Sequence, residues 1–163
     1  MASRTAQAGL QTTGGIATET YADSVSGGCI GYITRTTNAG PVSSSTPADI
    51  GALSLTFTAN ANRLIKVEFW CSAVSATDTT TWGQINVVEG SNILAYAPTG
   101  TVGSAGLGTG PAVYIPYLWV APSAGSHTIK GQLSRVAGSG SVTIGAGTDR
   151  PMYIAAYDMG PSF

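Results

Sequence analysis

Charge is what this sequence most lacks. Seven Lys and Arg and eight Asp and Glu make 9% of its 163 residues charged, against about 25% in an ordinary soluble domain. The formal net charge of −1 leaves no basic field to gather nucleic acid or an acidic lipid surface, and neither is expected as a partner. Histidine occurs once, at His127, just after a turn, where it reads as a surface residue. A Ser–His–Asp arrangement has no other base to draw on, and there is no Gly-x-Ser-x-Gly. The two cysteines, Cys29 and Cys71, stand far apart in sequence without ligand spacing, so no metal site is expected. Both fall in apolar runs, which suits buried free thiols, although a disulfide is not excluded by spacing. No stretch approaches the roughly 18 uninterrupted apolar residues of a spanning helix, and residues 1–27 lack a basic start followed by an apolar core. Neither a membrane segment nor a secretory leader is expected. Also missing is any 3.6-residue apolar period of helical length.

What is present is short, alternating and punctuated by turns. Gly alone contributes 22 residues. After a small, polar stretch over residues 1–27, which reads as a flexible N-terminal arm, β-branched and aromatic residues begin at Cys29–Thr36 and predict a first strand. Asn38–Asp49 reads as a loop. Leu53, Leu55 and Phe57 alternate with Ser54, Thr56 and Thr58 up to Ala59. Asn60-Ala61-Asn62 makes a tight turn, because Asn tolerates left-handed backbone. Arg63–Ser72 then turns Ile65, Val67, Phe69 and Cys71 inward, with Lys66 and Glu68 outward. Trp70 falls on that polar side, either as a contact residue or as a cap on the sheet.

Ala73–Gly83 reads as a Thr-rich loop ending in Trp82. Strands at Gln84–Glu89 and Asn92–Tyr96 are separated by the hairpin turn Gly90-Ser91. Ala97–Gly110 is a Gly-rich loop with neither Gly-x-Gly-x-x-Gly nor a following Gly-Lys-Ser/Thr, so it is not read as a phosphate cradle. Ala112–Val120 is a strand that Pro116, lacking an N–H, confines to an edge or a bulge. His127–Val136 and Ser141–Ala146 follow, and Met152–Asp158 closes the chain. Eight or nine short strands in one domain over residues 28–163 predict an all-β antiparallel sandwich, with a jelly roll fitting the strand number best.

The closing strand is apolar on both faces. Met152, Ile154 and Ala156 point one way and Tyr153, Ala155 and Tyr157 the other, so both sides need cover. One face should meet the domain's second sheet. Either the Tyr153/Tyr157 or the Met152/Ile154 face is then the candidate for a subunit contact, which makes Met152, Tyr153, Ile154 and Tyr157 the candidate interface residues. An under-charged exterior agrees with a surface occupied by neighbouring subunits. Trp70 and Trp82 are the candidate residues for surface recognition, for instance as stacking platforms for a glycan. Among the acids, Glu68, Glu89, Asp78 and Asp149 are the set from which paired-carboxylate hydrolysis would have to draw. Lone acids on strand faces are more often solvated, and Asp149-Arg150 and Asp158 are expected to tie down turns. No catalytic residue and no cofactor is expected.

Three stretches carry a resemblance: Phe57-Thr58-Ala59-Asn60-Ala61-Asn62-Arg63-Leu64-Ile65-Lys66-Val67, Ala124-Gly125-Ser126-His127-Thr128-Ile129-Lys130, and Arg150-Pro151-Met152 through Asp158-Met159-Gly160-Pro161. From about residue 28 onward the sequence resembles virion structural proteins of tailed bacteriophages, particularly those infecting actinobacteria. The resemblance implies a jelly roll that is often trimeric in the manner of tumour necrosis factor-like heads. It further implies a capsid decoration or cement protein, or else a minor tail or receptor-binding protein that recognises a host glycan. On the first alternative the expected partners are identical subunits and the major capsid protein. The expected place is the capsid surface of a virion made in the host cytoplasm. The quoted motifs carry no catalytic residues to transfer.

Overall fold

The computed structural model describes residues 28–99 and 110–162. The expected N-terminal arm, 1–27, and most of the Gly-rich loop lie outside the described residues. Among the described residues eleven strands run in chain order: β1 (Gly28–Arg35), β2 (Ala39–Val42), β3 (Ala48–Ala59), β4 (Arg63–Cys71), β5 (Ala73–Ala76), β6 (Trp82–Glu89), β7 (Asn92–Thr99), β8 (Val113–Val120), β9 (Gly125–Ala137), β10 (Val142–Gly145) and β11 (Met152–Pro161). No helix among the described residues is long and apolar enough to cross a membrane.

The order of pairing defines the architecture. One sheet runs β1-β11-β4-β8, a second runs β3-β9-β6-β7, and a small third sheet runs β2-β10-β5. Setting the third sheet aside leaves eight strands. Taken in chain order as first to eighth, they stand first-eighth-third-sixth in one sheet and second-seventh-fourth-fifth in the other. Every pair is antiparallel. That is the double Greek key of a jelly roll.

Alternation in the sequence explains which side of each strand is buried. Ile65, Val67, Phe69 and Cys71 of β4 and Met152, Ile154 and Ala156 of β11 face Leu53, Leu55 and Phe57 of β3, Ile129 and Leu133 of β9, and Ile85 and Val87 of β6 in one core. Phe69, Ile65, Val67 and Ile154 are fully buried. Each such side chain contributes about 1.5–3 kcal/mol by leaving water. The turns behave as their residues dictate: Asn62 sits at φ 61 between β3 and β4, and Gly90 at φ 58 between β6 and β7. Pro116 lies on β8, an edge of its sheet. The β4–β8 register runs through it without a bulge.

Several expectations are corrected. The loop over 38–49 contains β2, and the loop over 73–83 contains β5. These two strands are joined by β10 into the third sheet, which raises the strand number above eight or nine. Strands of four residues are too short to show alternation. Cys29 is exposed while Cys71 is buried, and both are free. Cys29 stands near the end of an edge strand, opposite Tyr157 and next to a register shift, so neither side is covered. His127 is not a surface turn residue but is buried. Its Nδ1 lies 2.7 Å from Glu89 Oε1 and its Nε2 3.0 Å from the Ser123 carbonyl, and its ring meets Trp119 edge-on at 4.9 Å. Met152 and Ile154 are withdrawn from the subunit interface: both are fully buried in the domain's own core, and a side chain spent there has no surface left for a partner.

Candidate functional site

The outer face of the β1-β11-β4-β8 sheet gathers the aromatic side chains that the core does not take. Backbone register sets its rows. Thr34, Tyr153, Trp70 and Tyr114 stand level across the four strands. Tyr32, Ala155, Glu68 and Pro116 form the next row, and Tyr157, Lys66 and Leu118 continue the face beyond it. Each of these positions alternates with a core residue, so the pleat that buries Ile154 turns Tyr153 and Ala155 outward.

The rings interlock. Trp70 stacks on Tyr153 with centroids 5.8 Å apart and planes inclined by 22°, while Tyr32 leans on the other side of Tyr153 at 5.5 Å. Such pairs contribute about 0.5–1.5 kcal/mol each beyond their buried area. Much of the face nevertheless stays in water: Tyr32 is 56%, Tyr114 50% and Leu118 57% exposed. Tyr153, Tyr157 and Trp70 are half-buried by their neighbours.

One acid and one base occupy the middle of this surface. Glu68 is only 8% exposed. Its Oε1 accepts a hydrogen bond from the Tyr114 hydroxyl at 2.5 Å and lies 2.6 Å from Lys66 Nζ. Lys66 also stands 5.9 Å above the Tyr157 ring, within reach of a cation–π contact. Burial alone would raise the Glu68 carboxyl, but the hydrogen bonds from Lys66 and Tyr114, with the Lys66 charge, outweigh it and leave the group below its ordinary value. The same contact holds the Lys66 ammonium above its usual value, and the Glu68 hydrogen bond raises the Tyr114 hydroxyl. Among the described residues the face is therefore aromatic and neutral, its Lys66–Glu68 ion pair closed on itself.

Of the residues singled out in the sequence, Tyr153, Tyr157 and Trp70 come together here. Trp82 does not. It opens β6 in the opposite sheet, level with Ala137. Tyr32, Lys66, Tyr114 and Leu118 belong to no site that the sequence suggests, and Glu68 is singled out there only among the acids of a paired-carboxylate set. Their signal was the apolar character of both alternating sets in the last strand and in 112–120, which shows that both faces need cover but not which strands lie side by side.

Glu89, Asp78 and Asp158 have partners of their own. Glu89 holds His127. Asp78 accepts from Thr80 and Thr81, through backbone N–H and hydroxyl groups of both. Asp158 binds Arg63 at 2.9–3.0 Å and the Gly160 N–H at 2.9 Å, tying the end of β11 to the start of β4. Among the described residues, no three His, Cys, Asp or Glu side chains converge as metal ligands.

No family model and no curated protein sequence matches the chain. Solved structures with a similar arrangement of strands include Eiger TNF from S. frugiperda, at 8% identity and a TM-score of 0.48 over 83% of this chain and 96% of that one. Dimeric latent PorU from Porphyromonas gingivalis aligns at 10% identity and a TM-score of 0.38, over 90% of this chain and 14% of that one. The VP2 subviral particle of infectious bursal disease virus aligns at 16% identity and a TM-score of 0.34, over 80% and 37%. These likenesses are distant, and the jelly roll is established by its own strand order.

Proposed function

We propose that this chain is a non-enzymatic structural protein of a bacteriophage particle. In this reading it assembles as a homotrimer through the outer face of the β1-β11-β4-β8 sheet and sits on the capsid surface, against the major capsid protein, to stabilise or decorate the shell. The observation that carries the subunit contact is the aromatic face itself. Interface centres are rich in Tyr and Trp and poor in uncompensated charge, and Tyr32, Trp70, Tyr114, Tyr153 and Tyr157 surround a Glu68–Lys66 pair that neutralises itself. A charged partner would find nothing to pair with on this surface. An identical copy meets no net repulsion, which favours a second and third copy as the occupants. The virion setting is supported by the sequence resemblance.

Sedimentation of the purified chain tests the contact. A trimer at micromolar concentration that Tyr153→Ala reduces to monomers supports it, and a wild-type monomer refutes it. Electron microscopy of particles tests the capsid location.

A second reading has one observation in its favour. The Trp70–Tyr153 stack beside a carboxylate is also the arrangement that grips a sugar ring, which would suit a tail-associated protein recognising a host glycan. In that case Trp70→Ala abolishes host adsorption while leaving assembly intact, and Trp82→Ala, on the opposite sheet, does so only if the glycan is held there instead; the capsid reading expects no adsorption defect from either.

A further inference from the structure

The Glu68–Lys66–Tyr114 cluster sits at the centre of the proposed contact, and its chemistry bears on how that contact is controlled. We propose that Glu68 is an acid-sensitive latch: the subunits hold together while its carboxylate is ionised and part when it takes up a proton. This rests on the subunit contact proposed above and adds its regulation.

The argument begins with what a second copy would do to these groups. In the single domain Glu68 is already nearly covered, while the Lys66 side chain keeps 37% of its surface in water. Laying an aromatic face over the sheet removes that water. A desolvated ammonium is tolerated when a carboxylate lies 2.6 Å away, because the pair attract strongly once water is excluded. Without its partner the same ammonium is costly to cover. Protonating Glu68 removes the negative charge and leaves Lys66 as the single uncompensated charge beneath the covering face. With the proton on Oε2, Oε1 still accepts from the Tyr114 hydroxyl and the Lys66 ammonium, but as a neutral carbonyl oxygen it holds both more weakly than a carboxylate does. The covered state loses on both counts, and the uncovered state, where water solvates Lys66, loses little.

Nothing else among the described residues on this face takes over the role of counter-ion. The titratable groups around Glu68 are Lys66 on its own strand, Tyr114 from β8, Tyr153 and Tyr157 from β11, and Tyr32 from β1. All the others are tyrosines, which stay neutral in acid. The carboxyl is held below its ordinary value, so the stabilisation it supplies is present at neutral pH and is lost as pH falls through that lowered value, beneath the usual Glu range of about 4.3.

The experiment is sedimentation of the full chain from neutral pH down to about pH 2.5, far enough below the ordinary Glu value of about 4.3 to carry a lowered carboxyl through its titration. Near-ultraviolet circular dichroism follows the fold in parallel. Wild type, Glu68→Gln and the double variant Glu68→Gln/Lys66→Met are compared. Wild type should be assembled at neutral pH and dissociate in acid while still folded. Glu68→Gln imitates the protonated state and should need roughly 30-fold more protein to assemble at neutral pH, as when one partner of a covered charge pair is removed. The double variant removes the orphaned charge. It should assemble within a few-fold of wild type and stay assembled in acid, although its other carboxylates titrate as before. A wild-type assembly that persists in acid, or a double variant that dissociates along the wild-type acid curve, overturns the latch and leaves the subunit contact standing. A wild-type chain that is monomeric at neutral pH overturns the contact itself, and the latch with it.

Discussion

Two neighbouring residues on β11 should separate folding from assembly. Ile154 is fully buried in the core, and truncating it to Ala removes three methyl or methylene groups from a site packed by both sheets. Such changes cost about 2–5 kcal/mol, the spread reflecting how far the surroundings collapse. For a chain of this length each kcal/mol moves the unfolding midpoint by about 2–4 °C. Ile154→Ala should therefore melt roughly 4–20 °C lower while sedimenting as wild type when both are kept cold. Tyr153 points the opposite way. Its truncation removes the stacks on Trp70 and Tyr32, worth about 1–3 kcal/mol together and nearer the low end because the rings are partly in water. The midpoint of the single domain should then fall by only a few degrees. Assembly, by contrast, should weaken by about 30-fold or more, the usual consequence of removing a central aromatic anchor. Thermal melts by far-ultraviolet circular dichroism, run below the assembly concentration, and sedimentation above it read the two effects separately. If Tyr153→Ala melts as low as Ile154→Ala and sediments as wild type, the division of β11 into a core side and a contact side is wrong.

Ala52 lies exposed in the bulged stretch of β3 at φ 63, in left-handed backbone without being Gly; Ala52→Gly should raise the urea midpoint by the equivalent of about 0.5–1 kcal/mol. Gly83→Ala should do the reverse, because a Cβ there would stand 2.5 Å from the Ser134 carbonyl oxygen, with both Val142 methyls at 3.0–3.1 Å; failure to lower the midpoint would place β9 or β10 further away than described. Cys71 is fully enclosed and its thiol is pushed up to about 12 by burial, so a thiol reagent near neutral pH should label one cysteine, Cys29, in the native protein and two in denaturant. Asp158→Ala removes the carboxylate that binds the nearly buried Arg63 and the Gly160 N–H, and should cost about 1–3 kcal/mol, read as a lower denaturant midpoint.

Most of the fold could be read from local pattern. The alternation of Leu53, Leu55 and Phe57, and of Ile65, Val67, Phe69 and Cys71, identifies the buried side of two strands because only one side is apolar. Asn60-Ala61-Asn62 and Gly90-Ser91 mark turns because their backbone demands are local. The jelly roll itself was expected from strand number, and the pairing order confirms it. What could not be read is what distant segments do to one another. His127 is buried because Trp119 and Phe57 close over it and Glu89 and Ser123 meet its nitrogens, partners that come from three other segments of the chain. The candidate site was half visible for the same reason. The two-sided character of 152–158 showed that Tyr153 and Tyr157 needed cover. That Trp70 and Tyr114 flank them depends on β4 and β8 lying beside β11, a fact of topology.

The position of β11 between β1 and β4 has a consequence for how the protein is made. On a ribosome the first strand emerges well over a hundred residues before the segment that will lie beside it, and until residues 152–161 appear neither β1 nor β4 has its shared neighbour. The second sheet has all four strands by residue 137, so it can form while the first waits with its edges unpaired. Closing loops of that span is slow, and folds built on such distant pairings take milliseconds to seconds. The first sheet should therefore gain its structure, and its aromatic face, in one late step after synthesis of β11. A chain stalled before residue 152 would present open strand edges rather than a smaller version of the same domain.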